Sequence, residues 1–387
     1  MLSFFSPMLP VGDSSKQRCS LSTCPPWLAI LAIISLVARY SLAESFPFTA
    51  VPSEFSTSDP SLRSPLVFED GSPVQSAADW QRRREEILSI WHRHLGDWSP
   101  IIEHPEIEVL ETTIRQGIVQ RKVRVQLAVD QRIDGYFLLP PGTGPFPAVF
   151  VPFYDPETSI GLSEKPDRDF GWQLAQRGFA CLAVGSPGGD ARRPVLSRQA
   201  RCQPLSYLAN IAANGWQALA SLPEVDDKRI GIVGHSYGGK WAMFGSCLWE
   251  KYACAVWSDP GIIFDESRTS INYQEPWYLG FDPAVTRPPG LVTESNPRTG
   301  AYKILVESHR NLHELHALMA PRPFLVSGGA EDPPKRWSVL QHTIAVNRLL
   351  GYEGRVAMTN RESHSPTTES NEQICTFLTY WLGQAGH

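Results

Sequence analysis

The chain has 387 residues, of which 42% are hydrophobic and 19% charged, enough apolar material for a large globular core. Its formal net charge of -5 leaves no basic excess to neutralise phosphates, which excludes a nucleic-acid binder of the usual electrostatic kind. The 33 prolines suggest long ordered loops around that core.

The first 43 residues read as an export signal. Lys16 and Arg18 supply positive charge, the run from Trp27 to Val37 supplies the apolar centre, and Ser41-Leu42-Ala43 is a small-x-small cleavage site before Glu44. The rival reading, a membrane anchor, needs a longer run to cross a hydrocarbon core of ~30 Å. Beyond the signal the cysteines are Cys181, Cys202, Cys247, Cys254 and Cys375, an odd number without metal-ligand spacing. All but Cys202 lie in apolar surroundings and read as buried thiols, with one disulfide left open.

Residues 44–78 are rich in Ser and Pro and read as a linker or a loosely docked arm. The main domain is expected over 79–387. It starts with an amphipathic helix, Trp80 to Leu95, whose apolar stripe opposes Arg82, Arg83, Arg84, Glu85 and Glu86. Ile107–Glu111, Val119–Leu127 and Ile133–Leu139 are expected as antiparallel strands. From Ala148–Val151 onward strands alternate with helices: Ala180–Val184, Arg229–Val233, Cys254–Trp257, Phe324–Val326 and Val356–Met358. That alternation predicts an α/β fold with a mostly parallel, eight-stranded sheet wrapped on both faces. It stops between 258 and 320, where an insertion carrying Trp277, Tyr278, Phe281 and Tyr302 either caps the site or pads the sheet edge.

The chemistry is expected at Gly234-His235-Ser236-Tyr237-Gly238, of the form G-x-S-x-G. Two glycines around a serine also mark an ordinary tight turn. Here a buried strand precedes them and a helix follows, the context in which a strained turn lifts a nucleophilic hydroxyl out of the sheet. Such a serine needs a base, and the base an orienting acid. His364, in the loop after the last strand, is the histidine in the right place. Asp332, just past the Phe324–Val326 strand, is the expected acid, with Glu331 beside it; a loop-capping aspartate is the alternative. The backbone N–H groups of Tyr237 and Tyr154 are the expected oxyanion donors. His313-Glu314-Leu315-His316 lacks the spacing of a zinc-protease motif and reads as a helix start; His235 reads as structural. No metal or organic cofactor is called for by this chemistry, and the partner is a small-molecule or polysaccharide ester.

These three motifs, in order, resemble the α/β-hydrolase superfamily over Ile107 to Leu382. Within it, His313–Pro323 followed by Glu331-Asp332 looks like the segment before the acid in bacterial glucuronoyl esterases, and Ser236 with Lys240 is similar to their G-C-S-R-x-G-K elbow. That resemblance implies an esterase acting on carbohydrate, with Lys240 as a contact to uronic-acid hydroxyls. The chain departs from it at Tyr237, where the family has an oxyanion-holding arginine, and at His235, which replaces a cysteine. Some members carry the acid one strand earlier, which corresponds to Asp259 here. The layout also resembles acetyl xylan esterases and dienelactone hydrolases, and more distantly prolyl oligopeptidase-type peptidases. A hydrolase scaffold that only binds is the non-enzymatic alternative.

Overall fold

All the expected strands join one sheet, in a computed structural model that describes residues 46–267 and 273–383. The sheet has nine strands, one for each expected segment, and not the eight expected of the sheet: β1 Ile107–Arg115, β2 Ile118–Ala128, β3 Gln131–Leu139, β4 Phe146–Pro152, β5 Ala180–Val184, β6 Val225–His235, β7 Cys254–Ser258, β8 Phe324–Gly328 and β9 Val356–Asn360. Their order is β9-β8-β7-β6-β4-β5-β3-β2-β1. From β9 to β5 all neighbours are parallel, and β3, β2 and β1 join antiparallel. β5, β7 and β8 are buried along their whole length, as strands covered on both faces must be. The edge strand β1 is exposed over most of its length. Between β4 and β6 the winding direction reverses, so their carboxyl ends flank a crevice of the kind in which open parallel sheets bind ligands.

The N-terminal helix α1 spans Ala77–Leu95, with the Ser76 side chain accepting from the Asp79 amide as its cap. Arg83, expected on the solvent face, is fully buried. It lies three residues after Trp80 and four before Ile87, on the apolar stripe itself, and is neutralised there by Glu69 at 2.8 Å and Glu86 at 2.5 Å.

Residues 46–76 are packed onto the domain and do not behave as a linker. Phe46 sets its ring against Phe377 and Tyr380, Val74 is buried, and Phe55, Leu62 and Leu66 pack against the core. The Asp59 amide donates to the Ser338 carbonyl, and Gln341 donates to that of Phe55. The export segment 1–43 and its cleavage site lie outside the described residues. Among the described residues, no helix is long and apolar enough to cross a membrane. The five cysteines are buried free thiols, and burial pushes Cys202 up to about 12 and Cys375 to about 11.

Two buried histidines lie under this arm, and a third, His316, is buried one turn along the helix from the first. His313, which starts a short helix (His313–Ala317), approaches the Arg63 carbonyl at 2.7 Å; His342 approaches that of Asp59 at 3.2 Å, and the two rings are 5.0 Å apart. Burial lowers the pKa of His313 to about 4 and depresses His316 and His342 as well. A base whose folded pKa lies below its unfolded value binds fewer protons when folded, so its contribution is present above pH 6.5 and is lost as pH falls toward 4. His313 alone corresponds to roughly 3 kcal/mol. His313→Gln, which keeps a donor toward Arg63, is expected to flatten the fall in urea midpoint between pH 6.5 and 4. An unchanged slope would show that His313 is not buried neutral.

Candidate active site

The elbow is built by backbone contacts that leave no room for side chains. A Cβ on Gly234 would lie 2.1 Å from the Gly238 carbonyl oxygen, and one on Gly238 2.2 Å from that of Pro152. Between them Ser236 takes φ 56°, ψ -114°, a conformation that costs a non-glycine residue ~1–3 kcal/mol. Its amide donates to the Ser258 carbonyl at 2.8 Å, tying the turn to the end of β7. The helix that follows, Tyr237–Leu248, is wholly buried. The first N–H groups of any helix lack an intrahelical acceptor and carry the positive end of its dipole, so this N-terminus, which starts next to Ser236, suits an oxyanion.

His364 reaches over from the loop after β9. Its Nε2 is 2.9 Å from Ser236 Oγ and its Nδ1 is 2.7 Å from Asp259 Oδ2. A carboxylate only accepts, so Nδ1 carries the proton and Nε2 presents its lone pair to the serine hydroxyl. Asp259, not the expected Asp332, is therefore the acid in contact. The register explains this: His235 pairs with Ser258 on the adjacent strand, so Ser236 and Asp259 emerge side by side. Asp332 lies one strand further on, and its carboxylate is turned to the amides of Gly261 and Ile262 at 2.8 and 2.7 Å.

The two aspartates brace each other's loops. Asp259 accepts from the amides of Gly329 (2.7 Å), Glu331 (3.1 Å) and Asp332 (2.8 Å), while Asp332 accepts from the loop that carries Asp259. Burial and the neighbouring charge of Asp259 push the Asp332 carboxyl above the usual carboxylate range. The Glu331 backbone amide is one of the groups that hold Asp259.

Arg361 was not singled out in the sequence. Its guanidinium donates to the carbonyls of Ser327 (2.9 Å) and Gly328 (3.2 Å) on β8 and to that of His364 (2.8 Å), which fixes the loop bearing the imidazole. Its position one residue past β9 was visible, but no spacing rule marks a loop clamp. His235 is buried against His364 at 4.7 Å between ring centroids, and burial, reinforced by the imidazole beside it, holds its pKa well below the usual histidine value.

Tyr237 turns its ring inward, where the Ser186 hydroxyl donates to its phenol oxygen at 3.1 Å. Its ring continues a series of aromatic contacts, Tyr278 at 6.3 Å on one side and Tyr154 at 4.8 Å on the other. Lys240, expected as a substrate contact, is fully buried. The amine donates to the Pro260 carbonyl and lies 4.0 Å from the centroid of the Tyr273 ring. The insertion is thereby held down on the elbow helix, with Tyr273 and Tyr278 inside and Phe281 exposed. A cavity of about 780 Å³, bordered by His94, Asp282, Arg298, Lys303 and Glu307, lies elsewhere and is not lined by Ser236, Asp259 or His364.

Comparison with known structures matches this architecture. A glucuronoyl esterase from Solibacter usitatus superposes with a TM-score of 0.64 at 18% identity, covering 84% of this chain and 99% of that one. The chain has the α/β-hydrolase fold. Another α/β-hydrolase structure, a carbohydrate esterase family 15 glucuronoyl esterase from Caldicellulosiruptor kristjansonii, gives a TM-score of 0.60 at 18% identity, covering 87% of this chain and 94% of that one. In sequence, 258 residues are 24% identical to a 4-O-methyl-glucuronoyl methylesterase of Schizophyllum commune, over 64% of this chain. The match spans 61% of that curated relative's length. No family model matches the chain.

Proposed function

We propose that this chain is an exported serine esterase that cleaves a carboxylic ester of a carbohydrate, with glucuronoyl esters as the favoured class and acetyl esters next. The observation that carries the reading is the unbroken hydrogen-bonded series from Ser236 through His364 to Asp259, placed on a strained elbow. In the proposed mechanism Ser236 Oγ attacks the ester carbonyl while His364 Nε2 takes its proton. Asp259 holds the resulting imidazolium, and the Tyr237 amide at the helix N-terminus donates to the oxyanion. His364 then protonates the departing alcohol, and water, deprotonated by the same imidazole, releases the acid. Glucuronoyl esters are favoured because the similar proteins bear that activity in their names. Export rests on the N-terminal signal pattern.

Purified protein assayed on benzyl glucuronate, acetylated xylan, an aryl acetate and a peptide panel is expected to release benzyl alcohol fastest, and a fluorophosphonate probe to label Ser236. Cleavage confined to the peptides would replace the esterase with a peptidase. Absence of both labelling and turnover would leave a binding protein on a hydrolase scaffold.

A further inference from the structure

We propose that the phenol hydroxyl of Tyr154, and not its backbone amide, is the second oxyanion donor of this site. The inference rests on Ser236 being the nucleophile. Two independent placements lead to it. In the parallel pair β4/β6, Ala148 lies opposite Ile230 and Phe150 opposite Ile232, so the same register carries residue 154, two beyond the end of β4, to the level of Ser236. The Ser236 side chain is also one of the groups that act on the Tyr154 phenol.

The ring is held there from two sides. Phe153 meets it edge-on at 4.9 Å, and the Tyr237 ring lies 4.8 Å away at 31°. The Tyr154 carbonyl accepts from the Ser186 amide at 3.1 Å, which anchors the backbone. Tyr154 is nonetheless 38% exposed, unlike its fully buried neighbour Tyr237, so the phenol edge borders the space a substrate enters. The Tyr237 phenol is engaged by Ser186 inside the protein, whereas Tyr154, packed beside it, stays partly exposed.

When Ser236 attacks, Oγ and the oxyanion become substituents of one carbon, about 2.3 Å apart by ordinary tetrahedral geometry. A donor standing beside Oγ in the free enzyme therefore needs only a small swing to reach the oxygen gaining charge. As Oγ becomes an ester oxygen it is a poorer acceptor, and the oxyanion a better one, so the bond strengthens toward the transition state. The phenol keeps its proton throughout. Burial raises its pKa, so it stays a donor at neutral pH.

The test is Tyr154→Phe assayed on benzyl glucuronate beside Ser236→Ala. The expected result is a kcat lower by about 10²–10³-fold, with KM within about threefold. A trifluoromethyl ketone analogue should bind more weakly by a similar factor, while the product acid binds as before. Difluorotyrosine at 154 keeps the donor and the ring, so it should retain most activity and move the alkaline limb of kcat to lower pH. Wild-type kcat in Tyr154→Phe, or loss of product binding in parallel with kcat, overturns the phenol assignment alone. Turnover surviving in Ser236→Ala overturns the nucleophile on which it rests.

Discussion

Ser236→Ala is expected to lower kcat by about 10⁶-fold, the scale of removing a nucleophile from a hydrogen-bonded catalytic unit. The fold should survive the change. The serine amide, which bonds to Ser258, is untouched, and the hydroxyl contributes nothing to the packing of the helix behind it. The strained backbone remains in the alanine variant and is relieved in Ser236→Gly, because only glycine adopts a positive φ without steric cost. Calorimetry should therefore find Ser236→Gly inactive with a Tm at or above that of Ser236→Ala. An alanine variant within a hundredfold of wild type on every ester would remove Ser236 from the mechanism.

Asp259→Asn should cost about 10⁴-fold in kcat, because an amide at this position can turn its NH₂ toward His364 Nδ1 and select the wrong tautomer. The asparagine has one acceptor oxygen for a site where three backbone amides and an imidazole now converge on a carboxylate. Asp332→Asn is the matched control. It leaves the imidazole's partner in place and should act on stability, by about 1–3 kcal/mol for an amide left without its acceptor. The comparison is made by kcat and urea midpoint on the same preparations. A larger kcat loss at 332 than at 259 would restore Asp332 as the acid.

The nucleophile was legible because its neighbours are pinned by backbone atoms: at Gly234 and Gly238 any side chain collides, so the motif survives as letters. The parallel core was legible for a similar reason, since strands buried on both faces are written as unbroken apolar runs. The acid was not. Asp259 and Asp332 both follow core strands, and which of them meets His364 depends on a register no local pattern records. Arg83 was misplaced because its charge was read without Glu69, which lies outside the helix. Residues 46–76 pass for a linker because extended chain buries Phe46 and Val74 without any periodicity to announce it. Arg361 and the Tyr154 phenol are defined by what surrounds them in space, and single residues carry no such label.

Carboxylates seated at the mouths of two adjacent strands have an evolutionary corollary. Each is already desolvated and already supplied with amide donors by the other's loop. Handing the imidazole from one to the other asks for a reoriented ring, not a newly invented pocket. In proteins of this design the address of the acid is accordingly a poor guide to ancestry, whereas the glycine-flanked serine, which has no such freedom, is a good one.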